Sequence, residues 1–319
     1  MSVAIRWQPA ASRGALSRRA QRHAAIRARF AGQGVIEVDT PVLAQSSCLD
    51  PQVPSYAVPT ASGTRYLQTS PEHHMKRLLA AGSGPIYRLG PVFRADERGR
   101  WHAPEFTMLE WYRPGFDDQQ LMHDVAELVA MLGGPSTVES HRYWDLIAAA
   151  TGIADPREDR AALRSWCAGQ GLDGRTAAGA DIDLLLDFII GVHVGPQLGL
   201  QGLAFVTHFP ASQAALAQLD PAEPAVARRF ELYWQGVELA NGFDELCDAG
   251  EQRRRFVAEQ AARAGHAAAS LPLDERLLAA LAHGLPPVAG VALGIDRLYA
   301  LLDGADTLDA VHSFPWEDA

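Results

Sequence analysis

Lysine is almost missing from this 319-residue chain. Lys76 is the single lysine among 28 basic residues, and the others are arginine. A GC-rich coding bias accounts for that preference. Cysteine is scarce too: Cys48, Cys167 and Cys247 lie far apart, with no CxxC pair and no Cys/His zinc spacing. That spacing argues against a metal–sulfur centre and a disulfide framework, and a reducing compartment fits. Long apolar runs are lacking; the longest, Leu184 to Val194, is broken by Asp187 and is too short to span a bilayer. No signal peptide is visible. Positive charge is in deficit, at −10 net, which argues against a surface coated for phosphate binding while leaving room for a local basic patch. Acidic residues are absent before Glu37, whereas Arg13, Arg18, Arg19, Arg22, Arg27 and Arg29 precede it. That bias has something of a transit peptide. The same segment reads as a helix running into a strand, so a structural helix of a cytoplasmic protein is expected.

Apolar residues make up 48% of the chain, enough for a sizeable core in one large domain or two ordinary ones. Residues 13–31 predict a helix with Leu16, Ala20, Ile26 and Phe30 on its apolar face and Gly32 and Gly34 as stops. Val35–Val38 reads as a short strand, and the Ser-, Pro- and Gly-rich stretch 44–64 as loop. Ser70-Pro71-Glu72 is a strong helix start: a capping hydroxyl, a proline suited to the first turn, and a carboxylate at the positive end of the dipole. Strands are expected over 86–93, 105–112, 186–194, 203–208 and 288–293. Helices are expected over 117–132, 157–170, 251–264 and 274–283, and from Asp296 onward. Residues 230–246 resemble a hairpin. Strands joined by hairpins and long excursions imply an α+β fold, a mostly antiparallel sheet flanked by helices.

Four places carry candidate chemistry. Glu231 and Glu238 are equidistant from a turn centred on Trp234-Gln235 and would face each other across the hairpin ladder. Facing carboxylates repel unless a cation lies between them, and hard oxygen ligands suit magnesium; a slipped register would instead leave both in water. The charged loop Arg94–Arg100 opens with an arginine whose planar fork suits phosphate, although solvated hairpin charges have the same composition. In Gly290–Arg297, glycines at a strand end let a flat ligand approach, and Arg297 opens the next helix; the spacing matches neither the P-loop nor the dinucleotide fingerprint. On the strand 106–112, Glu110 and Tyr112 share a face with Phe106 and Met108. A carboxylate there needs a partner, either a substrate ammonium or an internal arginine.

Taken in order, these segments resemble the class II aminoacyl-tRNA synthetases. Val35–Pro41 is similar to motif 1, whose proline lies at a dimer interface; Phe93-Arg94 through Glu105-Phe106 is similar to motif 2; Gly294-Ile295-Asp296-Arg297 is similar to motif 3. Thr69-Ser70-Pro71-Glu72, Pro104–Glu110 and Asn241–Leu246 resemble the lysyl branch. The resemblance covers essentially the whole chain. It implies a single catalytic domain over 1–319 that starts at the motif 1 helix, without the N-terminal OB-fold anticodon-binding domain of a lysyl-tRNA synthetase. His208–Ala214 and Glu238–Phe243, with Ala292 in place of the glycine usual in the synthetases, resemble the compact paralogues that modify elongation factor P instead of tRNA.

The resemblance implies residue roles. Arg94 binds the α-phosphate of ATP, and Arg297 binds the distal phosphates or stacks near adenine. Glu231 and Glu238 hold Mg2+. Glu72, Glu110, Tyr112, Asn241 and Glu245, with Ser70 and Pro71 of the helix start, bind the two amino groups of a lysine-type substrate. Ala292 shapes that pocket; Gly294 and Leu239 line the nucleotide site. Asp96 stands where the family has glutamate and Ala103 where it has asparagine, so Glu97 is a candidate replacement after a one-residue shift of the loop. The expected enzyme is an ATP-dependent ligase and homodimer acting on elongation factor P. A truncated synthetase acylating tRNA or a small amine, and a non-catalytic lysine-binding regulator, are the alternatives; the acidic chain disfavours tRNA, and the retained Arg94, Glu231, Glu238, Glu245 and Arg297 disfavour the regulator.

Overall fold

Alternation decides which side of the first sheet is core and which is available for chemistry. The computed structural model describes residues 7–50, 52–265 and 271–319. Its strands in chain order are β1 (Ile36–Glu37), β2 (Leu43–Ala44), β3 (Ala57–Thr60), β4 (Gly63–Leu67), β5 (Ile86–Phe93), β6 (Glu105–Pro114), β7 (Val138–Arg142), β8 (Leu203–Pro210), β9 (Val226–Trp234), β10 (Val237–Asp244) and β11 (Val288–Gly294). Two compact units emerge: Met1–Phe116 with Leu246–Ala319, and Asp117–Glu245.

In the first unit, β6 pairs antiparallel with β5 and β11, and β1 adds to β5 in parallel. Tyr87 faces Trp111, and Val291 faces Trp111 from the other side. This side is core: helix α1 (Arg13–Gly32) lays Phe30 on it, 4.4 Å from the Tyr87 ring and 5.7 Å from Trp111. Because side chains alternate, Arg88, Glu110, Tyr112 and Ala292 must share the opposite side. The predicted apolar face of α1 holds only in part: Ile26 and Phe30 are buried, but Leu16 and Ala20 are exposed.

Asp296 fixes the helix that follows β11 (Ile295–Leu302) onto the sheet. Its carboxylate accepts from Arg19 Nη1 and from the Thr107 backbone N–H, each at 2.6 Å, and pairs with His312 at 3.2 Å. Burial would raise its pKa, but His312 and Arg19 together hold it below the usual carboxylate range.

The stretch 44–64 is not plain loop. β3 and β4 form a hairpin there, with β2 on the other side of β4. Pro59 disguised it; the proline is tolerated because β3 is an edge strand. At the Ser70 start, Ser70 Oγ accepts from the Glu72 backbone N–H at 3.0 Å, and helix α2 runs Glu72–Ala80 with Pro71 at its N-cap.

In the second unit, β10, β9, β8 and β7 pair in that order, antiparallel except β7 with β8. Helices Tyr143–Thr151, Arg160–Gly169 and Ile182–Phe188 supply a core built on Tyr143, Ile147, Leu163, Leu186 and Val206. The expected strand over 186–194 is helical instead. Asp181 caps Ile182–Phe188 through the Leu184 N–H at 2.9 Å, and Ile189–Val194 continues as a π-helix. A continuous apolar run carries no period to separate a buried strand from a buried helix, and the capping aspartate settles it. No helix among the described residues is long and apolar enough to cross a membrane.

Candidate active site

On the opposite side of the first sheet from Trp111, Glu110 is 2% exposed and fully engaged. Ser70 Oγ donates to its Oε2 and Tyr112 Oη to its Oε1, both at 2.8 Å. Arg88 faces it from β5 and Ala292 from β11. Glu72 also comes close, and Lys76 Nζ lies 2.7 Å from Glu72 Oε1. Ser70, Glu72, Glu110, Tyr112 and Ala292 therefore meet, with Pro71 in the turn that delivers Glu72. The sequence left Glu110 a choice between a substrate ammonium and an internal arginine. The structure supplies Arg88 opposite it, yet gives its two oxygens to hydroxyl donors. The Glu110 carboxyl is pushed up to about 7, by burial first and then by Glu72. Glu259, on the helix Ala249–Gly265, is likewise pushed up to about 7 by burial, Asp50 and Glu72.

These shifts give a pH signature. The folded chain keeps a proton on Glu110 that the unfolded chain releases from about pH 4.5 upward, so stability falls as pH climbs from 4.5 to 7. For Glu110 alone the loss is about 3 kcal/mol. The melting temperature of the ligand-free protein should drop between pH 5 and 7, and Glu110→Gln should flatten that slope; an unchanged slope in the variant would contradict the assignment.

Arg94 follows β5 directly, its backbone N–H bonded to Pro104 O at 2.9 Å across the loop neck. Its guanidinium lies 5.2 Å over the Phe106 ring and 3.6 Å from Glu97 Oε1. Its Nε is buried without a hydrogen-bond partner, a donor suited to an anion. Glu97, half-buried, is the loop carboxylate beside Arg94; Asp96 is exposed in the left-handed region, φ 62°. Ala103 is half-buried at the end of that loop. Arg297 Nε donates to Trp101 O at 2.9 Å, so it holds the same loop from the other side. Gly294 faces Met108 and ends β11 just before Arg297.

In the second unit, Glu231 and Glu238 do not face each other. The turn is Gln235-Gly236, with φ 51° and 74°, the pattern of a type I′ hairpin. Trp234 therefore pairs with Val237 and Glu238 with Tyr233; an irregularity between Glu238 and Ala240 then sets Asn241 opposite Glu231. Leu239 is buried within that irregularity. The expected register was off by the turn centre and this bulge. The two carboxylates still share one face as diagonal neighbours. Glu231 is pushed up to about 7 by burial and by the Glu238 charge. Glu231 accepts from Arg229 Nη2 and, at 2.8 Å, from Tyr233 Oη. Arg229 Nε donates to Asn241 Oδ1 at 3.2 Å, tying Asn241 to the same cluster. Gly242 is required: a Cβ there would sit 2.2 Å from Phe230 Cζ. Glu245, 1% exposed, ends the hairpin opposite Ala217. Crowded oxygen donors on one face suit a hard divalent ion. Among the described residues no group of three or more His, Cys, Asp or Glu side chains is arranged to hold a metal, so the pair would need further oxygens from a phosphate or water.

Sequence reasoning missed Lys76, Arg229, Tyr233 and Arg88. The i,i+4 spacing from Glu72 was the available signal for Lys76, and the i,i±2 spacing from Glu231 was the signal for Arg229 and Tyr233. A cavity of about 560 Å³ is lined by Asp39, Pro41, His74, Arg77 and His283 among others. None of the residues singled out from the sequence for binding or catalysis lines it.

A family model described as tRNA synthetases class II (D, K and N) matches residues 4–318. A protein of Pectobacterium carotovorum named elongation factor P–(R)-β-lysine ligase is 45% identical over 325 residues, covering 100% of each chain. Proteins of the same name from Photorhabdus laumondii and Yersinia pestis are 45% and 44% identical, covering 98% and 99% of each chain.

Proposed function

From the premise that the chain belongs to the class II tRNA synthetases of the D, K and N group, we propose that it activates (R)-β-lysine with ATP and transfers the acyl group to a lysine side chain of elongation factor P. It is an ATP-using ligase of that family, and it acts as a cytoplasmic homodimer. The observation that carries the substrate reading is Glu110, a buried carboxylate aligned by Ser70 and Tyr112 with Glu72 beside it. Such a cluster suits an ammonium group, which would draw the proton off the Glu110 carboxyl and replace it.

Chemistry proceeds in two displacements. A carboxylate oxygen of the amino acid attacks the α-phosphorus of ATP, and the bond to pyrophosphate breaks. The acceptor amine then attacks the acyl carbon of the adenylate; AMP leaves and the amine loses a proton to solvent. Arg94 stabilises charge on the α-phosphate, and Arg297 holds the distal phosphates and, through Trp101, the loop above them. Glu231 and Glu238 would hold magnesium, which when bound would neutralise charge on the phosphates. Gly294, Ala103 and the loop at Asp96 border the nucleotide. Positioning and electrostatics suffice, with no covalent enzyme intermediate. The chain's one lysine is 1% exposed, so no exposed lysine of its own competes as acceptor.

Incubating the protein with ATP, (R)-β-lysine and either elongation factor P or tRNA tests the acceptor. Acylated elongation factor P in the mass spectrum and unacylated tRNA are expected; the reverse would overturn the proposal in favour of a synthetase. Ala292, directly across the ladder from Glu110, puts one methyl group against the pocket. Ala292→Gly should shift selectivity toward α-lysine by about 5–10-fold in relative kcat/KM. Unchanged selectivity would remove Ala292 from the specificity argument.

A further inference from the structure

The one lysine of the chain sits in an informative place. A sequence that uses arginine at every other basic position keeps an ammonium at 76. Arginine is a broad planar fork, whereas lysine is a compact point charge on a slender stem. Lys76 is 1% exposed, packed on α2 between the fully buried Met75 and the Leu79 turn, with Nζ 2.7 Å from Glu72 Oε1. A fully buried ammonium is costly and persists where it offsets a buried anion.

The surroundings supply that anion several times over. α2 contributes Glu72, the turn before it Ser70, β6 Glu110 and Tyr112, and β5 Arg88. The helix Ala249–Gly265 contributes Glu259, and the loop before β3 contributes Asp50 and Cys48. Glu72 acts electrostatically on Glu110 and, less strongly than Asp50, on Glu259 and Cys48. Cys48 is pushed up to about 12, chiefly by burial, and remains a neutral thiol. Arg88 and Lys76 are the cations set against Glu110 and Glu72, and Arg88 is itself partly desolvated.

We propose that Lys76 is a positioning residue of the amino-acid pocket: its buried ammonium pins Glu72 and offsets one pocket carboxylate, leaving the other to the substrate's ammonium. This rests on the reading that Glu72 and Glu110 bind the diamino acid. Lys76 touches no substrate; it acts through Glu72. Without it, Glu72 and Glu110 repel with no cation between them, and Glu110 holds more firmly a proton that an incoming cation must displace.

Lys76→Met keeps the stem and removes the charge. In amino-acid-dependent ATP–pyrophosphate exchange with (R)-β-lysine, we expect KM for the amino acid to rise about tenfold or more at pH 7, with KM for ATP unchanged. The acid limb of kcat/KM for the amino acid should move up by about one pH unit, because a lost positive neighbour raises carboxyl pKa values. A lower KM for the amino acid, an unmoved pH limb, or equal changes in both KM values would overturn the proposal. If Lys76→Met does not fold, Lys76→Arg carries the test: KM for the amino acid should rise while the pH limb stays in place, and wild-type values for both would overturn the proposal. Wild-type protein that fails to exchange at all would instead overturn the substrate reading, so the two failures are told apart.

Discussion

Arg94→Ala is expected to lower amino-acid-dependent ATP–pyrophosphate exchange by about 10²–10³-fold, the usual consequence of removing one preorganised donor from a developing oxyanion. The fold should survive. Arg94 is only partly buried, its ion pair to Glu97 is long at 3.6 Å, and its ring contact with Phe106 is its other side-chain interaction here. Such contacts contribute about 1 kcal/mol or less at a partly exposed site. Thermal melting and circular dichroism of the variant should therefore match the wild type. The buried, unpartnered Nε is what distinguishes this arginine from a solvated surface charge. Arg94→Lys should recover part of the loss, since it restores charge without the fork. Near-normal exchange in Arg94→Ala would refute its role.

Glu110→Gln is expected to reduce kcat/KM for the amino acid by about 10²-fold, the loss of a charge-assisted contact to an ammonium, while KM for ATP holds. Shape and volume are preserved, so Ser70 and Tyr112 keep a partner by amide rotation or hydroxyl reorientation. Stability at neutral pH should be unchanged or higher, because a desolvated carboxylate beside Glu72 is removed. A loss shared equally between ATP and amino acid would place Glu110 outside the amino-acid pocket.

Much of this was legible in the chain itself, and the exceptions have physical causes. The order of helices and strands around Glu110 and Arg297 follows from period and caps. The convergence of Ser70, Glu72 and Glu110 does not follow from pattern alone, because 40 residues separate Ser70 from Glu110. It required the motif resemblance. The β9–β10 register was hidden by its turn: Gln235 in the left-handed region is not the asparagine that announces a type I′ hairpin, and a bulge has no sequence mark. The helix at 182–188 was hidden because Leu184–Leu186 and Phe188–Ile190 are apolar on every side. Lys76 was visible as a residue but not as a buried one, since lysine usually snorkels to solvent.

The most direct test is exchange of labelled pyrophosphate into ATP by the wild-type protein, with (R)-β-lysine, (S)-β-lysine and α-lysine supplied separately. Exchange that depends on the amino acid, fastest with (R)-β-lysine, is predicted. Absence of exchange with all three would contradict the account.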